Sequence, residues 1–508
     1  MVHTQNTPVA TSSTPLLAPV EYSSSNPAPI PWRLLVPILL IRIVDSISYI
    51  LVFPFITEFI TSLHAPHDKV GLYAGLAEGC LMAVEAFCAT SWARAADRWG
   101  RKRCLVWGVA VTGTGCALVG FGQSVGWIIF WRAFYGLTPA GVLTRTVVAE
   151  ISHSSNRSRI FAIYSPMLSL GVIIGNLIGG ELAKPYGKLP WWMGGSMKIW
   201  QHFPYALPCV ELIRCRALLA HSGRADTYKS QTKKSPEKDQ DEDAQGEARE
   251  TNTFEAVLQV PHFMLVMGIL CSFQLASFAF EGLFTVFLWT PVKRGGLGLP
   301  VHFIGLTNSL SSAIYILVSP VLAPLIEDKF GLKGGLALTS GAMPLEALVI
   351  PLAQFAATKG LAWTGVMLGV QCLLKNFHCM GWSQGDNLIF AVVGAYPELT
   401  ASASAIQCIA GAIGRASGPV ISGWVFSFST AFPAVSLGRQ LSWIVLFIIC
   451  LPPLLLVTVI PRLTEDGKDV ESQVEVVKEN KVGYEVVGAY TVAEGYYGAT
   501  GVEVVVVR

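Results

Sequence analysis

The chain has 508 residues, of which 52% are hydrophobic and only 14% charged, with a formal net charge of +2. Soluble domains carry about 25% charged residues, so this apolar excess, with a mean hydropathy of +0.50, calls for lipid rather than a large water-soluble core. The small net charge excludes an overall basic field for nucleic acid.

In chain order, residues 1–32 are rich in Ser, Thr and Pro and hold no apolar stretch with a basic flank. They read as a disordered tail, not a signal peptide, and the first membrane helix serves as its own insertion signal. A hydrocarbon core about 30 Å thick takes about 20 apolar residues as helix. By that rule spans fall near 33–57, 70–92, 104–122, 126–149, 159–183, 260–289, 301–326, 335–357, 362–392, 399–427 and 440–460. A further candidate, 199–220, carries Glu211, Arg214 and Arg216 in the half that should be most apolar. Each such charge costs about 2.5–3.5 kcal/mol at a helix centre, so this sixth helix is read as degraded. It is kept because, with twelve spans, all the basic loops stay on the cytosolic side. Residues 221–255 are charged with almost nothing to bury and read as a flexible cytosolic linker. The expected organisation is a tail at 1–32, a six-helix bundle at 33–220, the linker at 221–255, a second six-helix bundle at 256–461 and a low-complexity tail at 462–508. Both termini are then cytosolic.

Two features repeat between the halves. Asp97-Arg98-Trp99-Gly100-Arg101-Lys102, wedged between two apolar runs, returns in weaker form as Asp328-Lys329-Phe330-Gly331-Leu332-Lys333. Such a basic knot marks a short cytosolic loop. Gly171, Gly175, Asn176, Gly179 and Gly180 in the fifth span match Gly414, Gly418, Pro419, Ser422 and Gly423 in the eleventh. Small residues at spacing four bare one helix face for close approach, and this packing is expected at the seam between halves. Halves related by an axis along the membrane normal would enclose a cavity near the midplane at that seam.

With these motifs the chain resembles a major facilitator superfamily transporter, and within it is similar to the zinc-induced-facilitator-like branch of fungi and plants near the drug:proton antiporters. The family's loop motif, Gly-xxx-Asp-Arg-x-Gly-Arg-Lys, matches Ala93 to Lys102 with Ala93 for the leading Gly. Its fourth-span motif matches Arg132, Gly136 and Ala140. Its antiporter motif matches Gly171, Gly175, Gly179 and Gly180, with Asn176 where Pro is usual. The resemblance implies an all-α membrane protein with twelve helices in two pseudo-twofold-related sets of six. It also implies that Asp97 braces the eleventh helix as a gate, with Arg98, Gly100, Arg101 and Lys102 beside it; the alternative is that the knot only sets topology.

Charges at membrane depth default to functional candidates. Arg42 and Asp45 are three apart in the first span, share a face and can pair; Arg132 lies in the fourth, where Asp45 can also meet it. Asp45 is then either a reversible proton carrier or half of a permanent ion pair. Glu85, near mid-span with no local cation, suits a proton carrier, whereas Glu78 is expected nearer the outer surface and solvated. Glu150 is expected to make a helix-end contact. In the second half Glu281, Lys375 and His378 are candidates for the substrate cavity, with Trp382 on the same side, and Arg415 faces either the seam or the cytosolic end.

The 11 cysteines sit almost entirely within apolar runs and in no zinc-type spacing, so no metal or cofactor is expected. No phosphate-cradling loop or catalytic constellation appears, so the chain is read as no enzyme and as lacking its own ATP engine. The expected function is a secondary transporter, monomeric, proton-coupled and exporting a small organic molecule across the plasma or vacuolar membrane. The alternatives are a facilitator or symporter without antiport, and a non-transporting sensor or defective copy.

Overall fold

The computed structural model describes residues 29–138, 140–152, 156–190, 197–210, 256–393, 399–433 and 436–460. Residues 1–28 of the expected N-terminal tail, the C-terminal tail, the linker and the charged half of the sixth span lie outside them. Backbone groups in lipid must be paired within their own segment, which leaves helices as the solution for apolar runs of this length. The described residues are accordingly helical, without a strand. Six of the helices are long and apolar enough to cross a membrane.

The elements are α1 (Trp32–Ile50), α2 (Ile56–Ser62), α3 (Val70–Trp99), α4 (Arg101–Gly120), α5 (Val125–Tyr135), α6 (Ala140–Ile151), α7 (Arg157–Leu182) and α8 (Ile199–His202) in the first half. The second half holds α9 (Phe263–Trp289), α10 (Val301–Lys359), α11 (Leu361–Cys379), α12 (Gly381–Val393), α13 (Thr400–Ser429) and α14 (Leu441–Val459). The fourth expected span is split into α5 and α6, and the tenth into α11 and α12, so the same crossing is broken in each half.

The two basic knots are also equivalent in backbone. Gly100 separates α3 from α4 at φ 89°, and Gly331 breaks α10 at φ 69°. Neither has a heavy atom within 4 Å of where a Cβ would sit. The constraint is therefore conformational: only glycine adopts this region freely. Beside the first knot, Arg101 Nε and Nη2 donate to Glu150 Oε1 at 3.0 and 2.9 Å, the helix-end contact expected of Glu150. Beside the second, Lys333 donates to the carbonyls of Thr458 and Ile460 at the end of α14.

The small-residue faces pack only in part where the sequence suggested. A Cβ on Gly171, Gly175 or Gly179 would meet Ser46 and Ile43, Ile50 and Ile47, or Leu51, all on or just after α1 in the same half. Gly414 and Gly418 likewise approach Cys271, Leu275 and Ala279 of α9. These five glycines thus fasten equivalent helix pairs inside their own halves. Spacing bares a face but does not say which neighbour takes it.

The seam itself is closed by the remaining motif residues Gly180, Pro419 and Gly423 together with glycines of α3 and α10. A Cβ on Gly75 would stand 2.1 Å from the Pro419 carbonyl oxygen, and one on Gly423 2.3 Å from that of Gly71. Pro419 thus packs toward the seam as expected. On the other flank a Cβ on Gly180 would stand 3.1 Å from Gly305 Cα, and Ser309 Oγ donates to the Ile173 carbonyl at 2.9 Å. The pairs α3 with α13 and α7 with α10 are themselves pseudo-symmetric partners. Of the sixth span, Tyr205 stacks on Phe55 and lies tilted against Phe59, and Ala206 lies against Gly120. The entry to that span is packed like a true element.

Candidate functional site

A charge taken out of water is tolerated only when paired or hydrogen-bonded, so the charged groups inside these helices define the site. Arg132 on α5 is 1% exposed. Its Nη2 donates to Glu78 Oε2 at 2.5 Å and its Nη1 to the Tyr49 carbonyl at 3.1 Å. The Tyr49 hydroxyl donates to Glu78 Oε1 at 2.6 Å, and the guanidinium lies 5.9 Å from the Tyr49 and Phe53 ring centroids. Both oxygens of Glu78 are engaged.

This overturns two expectations. The partner of Arg132 is Glu78, not Asp45, and Glu78 is buried rather than solvated. The reason is depth: Glu78 lies two turns, about 12 Å, inside α3, and Val70 and Ala74 at that end share one buried cluster with Phe59 and Ile60 of α2.

Asp45 instead accepts hydrogen bonds from the Tyr135 hydroxyl at 3.3 Å and the Thr138 hydroxyl at 3.4 Å. It forms no ion pair among the described residues. Arg42, three residues away, does not pair with it: its guanidinium lies 5.7 Å from the Tyr164 ring centroid and its buried Nε has no hydrogen bond. Glu85 is half-buried, with Oε1 3.1 Å from where a Gly141 Cβ would sit. It too has no ion pair among the described residues. Its charge lies within reach of Arg415 on α13, of Asp45 and of Arg42. The cation the sequence did not offer Glu85 is thus supplied across the seam.

In the second half, His378 Nδ1 lies 2.5 Å from Glu346 Oε1 and His378 Nε2 3.2 Å from Ser277 Oγ. The rings of Phe273 and Phe280 stand edge-on at 6.3 and 6.2 Å. Trp382 packs against Phe273 and Phe278. Glu346 was missed in the sequence, although a lone carboxylate in the middle of an apolar span is itself the signal. Lys375 Nζ lies 3.5 Å from Glu281 Oε1. The Glu281 charge acts on Tyr49 and Glu78 in the other half, so the two sets of charges face each other at the seam. Of the gating motif, the Asp97 side chain lies outside the described residues, while Arg98 and Lys102 are exposed. No cluster suited to a metal ion occurs among the described residues.

The model of the Major Facilitator Superfamily matches residues 38–419. The chain is 28% identical over 275 residues to the efflux pump azaK of Aspergillus niger, a match covering 52% of this chain and 53% of that protein, about half of its length. It is 24% identical over 400 residues to the protein ZINC INDUCED FACILITATOR-LIKE 1 of Arabidopsis thaliana, covering 74% of this chain and 80% of that one. Among solved structures it resembles a bacterial homologue of the human lysosomal transporter Spinster in an inward-facing, unoccupied conformation. That match has a TM-score of 0.63 at 16% identity and covers 85% of this chain and 98% of that one. At this identity the likeness speaks for the fold alone.

Proposed function

We propose that this chain, which belongs to the Major Facilitator Superfamily and is an integral, multi-pass membrane transporter, exports a small organic molecule in exchange for protons. In this reading twelve helices cross the plasma or vacuolar membrane with both termini cytosolic. The Asp97–Lys102 loop is the cytosolic gate. The protein works as a monomer.

The observation that carries the coupling is a contrast among carboxylates. Glu78 and Glu346 are held in 2.5 Å pairs with almost no exposure. Asp45 on α1 and Glu85 on α3, both part-buried, have no ion pair among the described residues. A carboxylate without a fixed counter-ion can be neutral in one gate state and charged in the other, and that difference in proton affinity is what coupling requires. Arg42 and Arg415 supply the field that separates the two states.

The test is transport of a panel of small organic molecules into liposomes holding the purified full chain, with and without an imposed pH gradient. The expected result is gradient-driven accumulation that Asp45→Asn together with Glu85→Gln abolishes, while downhill exchange persists. Accumulation that survives both substitutions would overturn the coupling assignment.

A second reading, facilitated transport without antiport, draws on Asn176. Its Nδ2 donates to the Val172 carbonyl at 3.0 Å, and α7 runs unbroken where a proline would remove a helix hydrogen bond. In that case the wild type would equilibrate its substrate but never accumulate it.

A further inference from the structure

Among the described residues three ion pairs lie inside the helices, and they are not alike. Arg132–Glu78 and His378–Glu346 both close to 2.5 Å, with side-chain exposures of 6% or less. Each is braced by a neighbouring hydroxyl, from Tyr49 or Ser277. Lys375–Glu281 is open at 3.5 Å, with exposures of 16% for the lysine and 30% for the glutamate. A buried pair with short contacts is costly to break, whereas a loose, partly wet pair exchanges partners readily.

Glu281 also stands where a ligand would be felt by both halves. It lies on α9 within its own half, and its charge acts on Tyr49 and Glu78 of the other. One turn earlier on the same helix, Phe278 stands edge-on to Trp382 with centroids 5.8 Å apart, and both rings are half-buried. A carboxylate one helical turn from partly exposed aromatic rings is the chemistry that holds an organic cation.

We propose that Glu281 is the subsite for the positive group of an organic monocation, and that Lys375 is a tethered stand-in which occupies this subsite when the carrier is empty. The substrate cation displaces the lysine ammonium rather than entering a vacant site. Lys375 therefore weakens substrate binding and keeps the empty carboxylate from being left unpaired at the seam. This rests on the transporter reading above and names the substrate class for it.

The test uses two ions of the same shape and opposite charge, tetraphenylphosphonium and tetraphenylborate, in equilibrium binding to the purified full-length chain in detergent. The phosphonium should bind saturably and the borate should not. Glu281→Gln should weaken phosphonium binding by about tenfold or more, and Lys375→Met should tighten it by about tenfold, within the range of ordinary site coupling. The tightening is the decisive readout, because a misfolded variant does not gain affinity. Binding of the borate alone, binding of neither ion, or a Lys375→Met affinity equal to or below the wild type would each overturn the proposal. Failure here and failure of the transport reading are distinguishable. Gradient-driven transport indifferent to Glu281→Gln would leave the coupled carrier standing and remove this subsite. Cation binding as described without any gradient-driven flux would do the reverse.

Discussion

Arg132 shows how far single residues can be read. Its cost at membrane depth marked it as important, and it is among the most deeply buried side chains described. Its partner was not legible, because helical spacing gives a face and not the rotation of neighbouring helices. Glu346 escaped for the opposite reason, being the lone charge in the apolar stretch 335–357, and its partner His378 is 32 positions away in the chain. The buried pairs carry a stability prediction. Arg132→Met leaves Glu78 buried without a counter-ion and should cost about 3–5 kcal/mol, whereas Arg132→Met with Glu78→Gln should recover most of it. Thermal unfolding of the purified variants in detergent checks this, and a double variant no better than the single would contradict the geometry. Arg439 offers a second case. It is 1% exposed, donates to Ser429 Oγ at 2.6 Å and to the Arg294 carbonyl at 2.8 Å, and lies 4.5 Å from the Phe426 ring centroid. It ties the loop after α9 to the turn between α13 and α14, and nothing local in the sequence announces that tie.

Among elements, glycine spacing marks close packing, but only Gly180, Pro419 and Gly423 of the two motifs reach the seam to which the whole motifs were assigned. Gly171, Gly175, Gly414 and Gly418 fasten helices within each half, while the seam is closed by Gly71 and Gly75 of α3 against Pro419 and Gly423 of α13. Those α3 glycines, with Gly79, also stand at spacing four, so the signal was present and only the partner was unknown. At Gly75 a side chain would point into the Pro419 backbone, and relief requires the halves to part. Gly75→Val should therefore shift the population toward a state open at this end. Spin labels on His64 and Arg294, one in each half, should report a longer distance in Gly75→Val and an unchanged one in Gly126→Val, where a Cβ meets nothing within 4 Å. An unchanged distance in a folded Gly75→Val variant would count against this contact as the closure of the seam.

For the molecule as a whole, the repeat was the most legible property. The echo of the basic knot in sequence became a positive-φ glycine break at Gly100 and Gly331, and the same crossing is broken in both halves. Composition and span length sufficed for an all-helical membrane fold because lipid leaves the backbone few alternatives. The charges at the seam were half legible: the residues that bear them stand out, but their pairing depends on how the two halves face each other. That facing requires both knots to lie at one end of the bundle, since α3 and α10 each run from the closed end of the seam toward their glycine break. Epitope tags inserted at Gly100 and at Gly331 of the full chain, probed from each side of sealed vesicles, measure this directly. Two parallel-related halves predict that both tags are reached from the same side, the cytosolic one; tags reached from opposite sides would contradict the shared seam and every pairing built on it.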